Sequence, residues 1–164
     1  MICSRQLTTN SRTTLLLASA LGICAGAAMA QNCKDVTGHF TSQQVLPPSC
    51  TSPVGSCTAG QLIGGIQGSF TATATQLLVS ADFATTGVLH FTGDIVVTTK
   101  DGNLVIKDAG TIDVASGEGH VADVSKIISG TGSLTGATGF LRVQGTFTAA
   151  AGGDGDYRGR ICTP

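Results

Sequence analysis

The chain has no tryptophan, one tyrosine and little charge, with Asp, Glu, Lys and Arg together at 12%. Aromatic residues make up 4%, too few to build a stacking platform for bases. No basic cluster occurs along it, so nothing can track a phosphate backbone, and nucleic acid is excluded as a partner class. One apolar run, from Leu15 to Ala28, extends for about fourteen residues. That is shorter than the roughly 20 a helix needs to cross a bilayer, and with no second such run no membrane span is expected. A convincing 3.6-residue period is absent too, which leaves helix hard to place anywhere.

The apolar run has another reading. Arg5 and Arg12 precede it and Ala28-Met29-Ala30 closes it, the pattern of a secretory signal peptide with an A-x-A cleavage site. Residues 1–30 are therefore expected to be a signal peptide and 31–164 a single domain, secreted or periplasmic, of a size that buries one core. Lipid anchoring would need a small residue before a cysteine, and Ile23 precedes Cys24. Cleavage leaves seven basic residues against ten acidic ones.

Four cysteines then remain: Cys33, Cys50, Cys57 and Cys162. An even number in an exported chain favours disulfides. Three pairings exist, of which Cys50–Cys57 closes the loop CTSPVGSC. Cys33–Cys162 ties the first strand to the last, because antiparallel strands that close a barrel bring the start of one beside the end of the other. A C-x6-C spacing without paired histidines does not make a zinc site, and no metal is expected.

From residue 35 onward, runs rich in Val, Ile, Thr and Phe alternate with Gly and Asp-Gly. They read as strands near 35–46, 62–80, 87–99, 103–115, 119–129, 139–150 and 156–162, with 62–80 open to division in two. Seven or eight short strands predict an all-β barrel or sandwich. Within VLHFTGDIVVTTKDGNLVIKDAGTIDV, Asp101-Gly102 suits a two-residue turn with positive φ angles. Setting Lys100 opposite Asn103 pairs Val97 with Ile106, Phe91 with Ile112 and Leu89 with Val114, apolar on both sides. The buried face follows, since a slip of one residue would turn all of them to water.

That register also opposes Gly93 to Gly110, and Ile95 to Asp108, on the apolar face. Facing glycines mark either a bend that lets a small barrel turn its corner or room for a ligand with Asp108 as its polar contact. Gly93, Gly110 and Asp108 are thus the candidate ligand-binding residues. Asp108 is the sole catalytic candidate, with a place at the barrel mouth as its plainer account. On the other face His90 stands beside Asp113, half of a triad with no nucleophile near, and reads as a solvated pair. His39 and His120 show no partner spacing. IQGSFTA at 66–72 and VQGTFTA at 143–149 echo one another, as two strands in similar barrel positions, an old duplication or chance would make them do.

The segment SGTGSLTGATGFLRVQGTFTA, residues 129–149, packs glycines into a tight turn and then alternates strictly. Its G-x-G-x-x-x-G spacing fits neither a dinucleotide fingerprint nor a P-loop, and it lies between strands where both of those need a helix. GGDGDY at 152–157 is one copy of a calcium β-roll-like motif without an array, so it reads as a solvated turn. No cofactor is expected.

GTGSLTGATGF, preceded by VADVSKII and followed by LRVQGTFT, resembles the G-T-G-x-[FY]-x-G-A-x-G turn of the allene oxide cyclase and dirigent barrel families. It is also similar to the calycin-type barrels of small exported bacterial proteins. The likeness covers about 119–150, and Leu134 stands where those families carry an aromatic. It implies a single antiparallel barrel of about eight strands, a homo-oligomer in many members, with an interior that in the plant families guides a hydrophobic intermediate to cyclisation or coupling. Arg142 has the opposite parity to Leu141, Val143 and Phe147 and is expected to point outward. Two functions follow: a non-enzymatic barrel that binds a small apolar molecule or serves a structural role, or a cyclase or isomerase acting by shape with Asp108 as proton donor or countercharge.

Overall fold

The computed structural model of the protein describes residues 31–79 and 87–164. The expected signal peptide, and residues 80–86 where two strands were expected to meet, lie outside the described residues.

Eight strands, each joined to the next, run β1 (Asn32–Gln44), β2 (Cys57–Gly64), β3 (Gly68–Val79), β4 (Val88–Thr99), β5 (Gly102–Asp113), β6 (His120–Gly130), β7 (Thr138–Thr148) and β8 (Gly152–Thr163). Every neighbouring pair is antiparallel, and β1 pairs with β8 to close the barrel. Closure leaves no strand edge free to recruit another chain. Cys33 is opposite Cys162 across that last seam and is disulfide-bonded to it. Cys50 is bonded to Cys57 and ties the β1–β2 loop to the first residue of β2. The run 62–80 does divide, and β2 begins earlier than expected, at Cys57, which pairs with Thr73 of β3. GGDGDY is not a solvated turn: it opens β8 and pairs on both sides.

The β4–β5 hairpin has the expected faces and a different offset. Thr99 pairs with Gly102, so the two-residue turn is Lys100-Asp101 and not Asp101-Gly102. The cause is local. Thr99 Oγ1 accepts from the Asp101 amide at 3.1 Å and donates to the Gly102 carbonyl at 2.8 Å, closing the turn one step early. Gly102, at φ 134°, lies against the 131–132 backbone, where a Cβ would collide with the Thr131 carbonyl oxygen. Glycine is needed there for close approach of two turns. The pairs become Val97 with Leu104, Ile95 with Ile106, Gly93 with Asp108, Phe91 with Gly110 and Leu89 with Ile112. A two-residue shift keeps every inward residue inward.

The glycine turn holds one turn of 3-10 helix, Gly132–Leu134, and sits on that hairpin tip. The Thr131 amide donates to the Asn103 carbonyl at 2.9 Å and the Ser133 amide to the Asp101 carbonyl at 2.9 Å. One end of the barrel is thereby packed solid. Val97, Leu104, Ile106 and Ile127 are each 1% exposed there, and full burial of a side chain of this size contributes about 1.5–3 kcal/mol. Ile66 reaches in from the β2–β3 turn, and the hydroxyl of buried Tyr157 accepts from the Ile66 amide at 2.8 Å. The same hydroxyl lies 3.0 Å from the Ile66 carbonyl and 3.2 Å from that of Ile63, the acceptors open to its own proton.

Polar residues take the outer face. Lys107 pairs with Asp94 across β4–β5 and Arg160 with Asp35 across β8–β1. Arg142 is exposed, as its parity requires. The two echoing heptads occupy different levels, since 66–72 begins β3 at the packed end and 143–149 runs out of β7 at the opposite one.

Candidate functional site

The packing gives way above Tyr157 and Leu141. A cavity of about 420 Å3 opens there, within the size range of small-molecule sites. Its walls are mainly apolar: Phe40, Leu62 and Phe70 on one side, and Leu89, Phe91, Ile112, Val121 and Phe147 toward the open end. Alternation explains why these residues converge, because every second side chain of a barrel strand points in. Two bulges adjust that rule. One at Thr75 restores Leu77 to the wall after Ala74, and one at Ile128 leaves both Ile128 and Ser129 on the outside after inward Ile127.

Two carboxyl side chains interrupt the apolar wall. Asp108 on β5 is directly opposite Ser125 on β6, and Asp123 precedes Ser125 by two residues, on the same inward face. Ser125 is 1% exposed. Its Oγ stands 3.0 Å from Asp108 Oδ1 and 3.3 Å from Asp123 Oδ1, so one hydroxyl hydrogen serves two acids. Ser125 thus brings the two carboxyls together on one hydroxyl. Burial pushes both well above the usual carboxylate range. For Asp123 the neighbouring Asp108 charge adds to this, while for Asp108 bonds from Ser125 and the Ala109 amide act in the other direction. The pair therefore keeps protons to a higher pH than free carboxylates do. No Lys, Arg or His stands among the cavity-lining residues described. The only other ionisable group there is Tyr157, which burial raises further and keeps neutral.

The three residues singled out from the sequence fare differently. Asp108 and Gly93 both line the cavity and are opposite one another, and a Cβ on Gly93 would come within 3.0 Å of the Thr73 carbonyl oxygen on β3. Gly110 does not face Gly93 and does not line the cavity. It pairs with Phe91 and Asp123, and a Cβ on it would overlap the Phe91 ring and the Asp123 side chain. The gap expected from facing glycines is filled by Phe91.

His90 is opposite Thr111, not Asp113, whose carboxylate instead caps the Ala115 amide at 2.9 Å. His39 does have partners: Asp156 at 3.1 Å and Asp154 at 3.0 Å, both on β8, and these hold its imidazole above its ordinary value. His120 lies 2.7 Å from Glu118. Among the described residues no group of three or more potential ligands could hold a metal ion, and no helix is long and apolar enough to cross a membrane.

Asp123, Ser125 and Tyr157 line the cavity and were not singled out from the sequence as site residues. A parity argument on VADVSKII could have found the first two, since Val121, Asp123, Ser125 and Ile127 share a face. No known family model matches this chain, and no curated protein matches it by sequence. Among solved structures it is similar to the pterocarpan synthase dirigent protein GePTS1, at 11% identity over 94% of this chain and 99% of that one, with a TM-score of 0.34.

Proposed function

We propose that the protein is an exported, non-enzymatic barrel that binds a small apolar molecule in the open half of its interior. The observation that carries this reading is the contrast between the two ends. One is filled by its own side chains, and the other keeps about 420 Å3 lined by aliphatic and phenyl groups. Close-packed interiors rarely leave such a volume empty. Two disulfides fit an oxidising compartment, and cleavage after Ala30 would be checked by N-terminal sequencing of the exported chain.

A neutral probe such as 1-octanol tests the binding directly. Burying a chain of eight carbons at about 0.8 kcal/mol per CH2 corresponds to a Kd on the order of 10–100 µM by calorimetry. Ala72→Phe would fill space on the β3 wall and should weaken that binding at least tenfold without lowering Tm by more than a few degrees. Absence of binding by neutral apolar probes, or an affinity indifferent to Ala72→Phe, would refute the reading.

A second reading has one observation in its favour, the two carboxyls of Asp108 and Asp123 brought together inside an apolar cavity. Such a pair is equipped to protonate a bound substrate and recover the proton, as a cyclase or isomerase acting by shape would require. Asp108→Asn separates the two: it abolishes turnover by an enzyme and leaves octanol binding intact in a binder.

A further inference from the structure

The cavity is mainly apolar, and the only Asp, Glu, Lys, Arg or His among its described lining residues are two acids, a combination that selects among apolar molecules. We propose that the ligand class is an apolar molecule carrying one cationic amine, with the hydrocarbon against the Phe91, Leu89 and Ile112 wall and the ammonium between Asp108 and Asp123. This deepens the binding reading above and rests on it.

The reasoning is one of unmet capacity. Two carboxyls offer about eight acceptor positions when ionised, and the side chain that bonds them both is the single hydroxyl of Ser125. No basic side chain faces them from β4, β5, β6 or β7. The inward neighbours are Gly93 on β4, Gly110 and Ile106 on β5, Val121 and Ile127 on β6, and Leu141 and Val143 on β7. An ammonium brings three donors and a positive charge to the one place in the wall that lacks both. Gly93, opposite Asp108 on the cavity wall, carries no side chain that would cover the carboxyl. A carboxylate ligand would meet like charge there, and an alcohol would satisfy one acceptor and leave the rest.

The charge state gives the inference a signature. The amine keeps its proton up to about pH 10, while the acid pair loses its remaining proton as pH rises. Amine affinity should therefore increase with pH over a range where alcohol affinity does not.

The experiment is calorimetry on the whole exported chain with three matched probes, octylamine, 1-octanol and octanoate, at pH 5, 6.5 and 8. The expected result is octylamine binding at least about tenfold tighter than octanol at pH 8, a preference that shrinks toward pH 5, and octanoate weakest throughout. In Asp108→Asn/Asp123→Asn the amine preference should fall below about threefold while octanol still binds. Equal affinity for octanol and octylamine at all three pH values overturns the amine inference and leaves the apolar-binding reading standing. Failure of all three probes refutes both. The wild-type pH series decides the matter even where the double variant does not fold.

Discussion

Stability should fall as pH rises from 5 to 7, and the acid pair should be the cause. In the unfolded chain both Asp108 and Asp123 titrate near 3.8 and are ionised above pH 5. In the folded protein both values are raised, so the native state binds protons that the unfolded state has released. The stabilisation is then complete below the unfolded value and is lost as pH climbs through the raised ones. One retained proton corresponds to a slope of about 1.4 kcal/mol per pH unit, hence about 3 kcal/mol across two units. For a domain of this size that is roughly 10 °C in Tm. The assay is thermal unfolding of wild type and Asp108→Asn/Asp123→Asn at half-unit steps from pH 4 to 8. The two Asn side chains keep an acceptor for Ser125 and carry no charge, so the variant curve should be much flatter and should cross above wild type near neutrality. His39 contributes a slope of the same sign in both proteins, because its value is raised too, and it cancels in the difference. A wild-type Tm that is flat or rising between pH 5 and 7, parallel to the variant, would refute the claim that these carboxyls are desolvated and keep protons to a higher pH.

Tyr157→Phe removes the acceptor of the buried Ile66 amide and should cost about 1–3 kcal/mol in denaturant unfolding, with little change in octanol affinity because the hydroxyl faces the packed end. Opening the barrel seam with Cys33→Ser/Cys162→Ser releases a constraint between residues 129 apart in sequence and should cost about 2–5 kcal/mol, more than the loss of Cys50–Cys57, whose separation is 7. Gly102→Ala should destabilise by at least about 1 kcal/mol, since both its φ of 134° and the Thr131 carbonyl exclude a Cβ; an unchanged Tm would show that the two turns are not packed together. The His39 imidazole should titrate by NMR above 6.5, and Asp154→Asn/Asp156→Asn should bring it back.

The architecture was legible because its signals are periodic and redundant. Alternation in β4 and β5 determines which side chains point inward whatever the offset, so an error of two residues in the hairpin left the interior unchanged. The offset was not legible because it depends on a single hydroxyl, that of Thr99, and on a neighbouring turn 30 residues away that no local pattern announces. The first half of β2, before Leu62, escaped notice for a related reason: it carries no large apolar side chain, and its pairing with β1 and β3 makes it extended.

The site was half legible, and the half that was missed follows a rule. Asp108 stood out because it interrupts the otherwise apolar face of β5, where Leu104, Ile106 and Ile112 point the same way. Asp123 and Ser125 did not, because both faces of β6 mix polar with apolar residues: Ala122, Val124 and Lys126 alternate with Val121, Asp123 and Ser125. Only the pairing of Asp108 with Ser125 across the strands gathers the three groups, and pairing between strands is a property of the closed barrel. A sequence built for stability alone would place aliphatic residues at 108, 123 and 125, as it does at 104, 106 and 127, and avoid the cost of burying two acids. The packed end shows that this chain can fill a barrel interior with Leu, Ile and Val when nothing else is required of it. Where it instead keeps two carboxyls, a shared hydroxyl and an unfilled volume together, the departure from good packing is what the proposed binding site rests on.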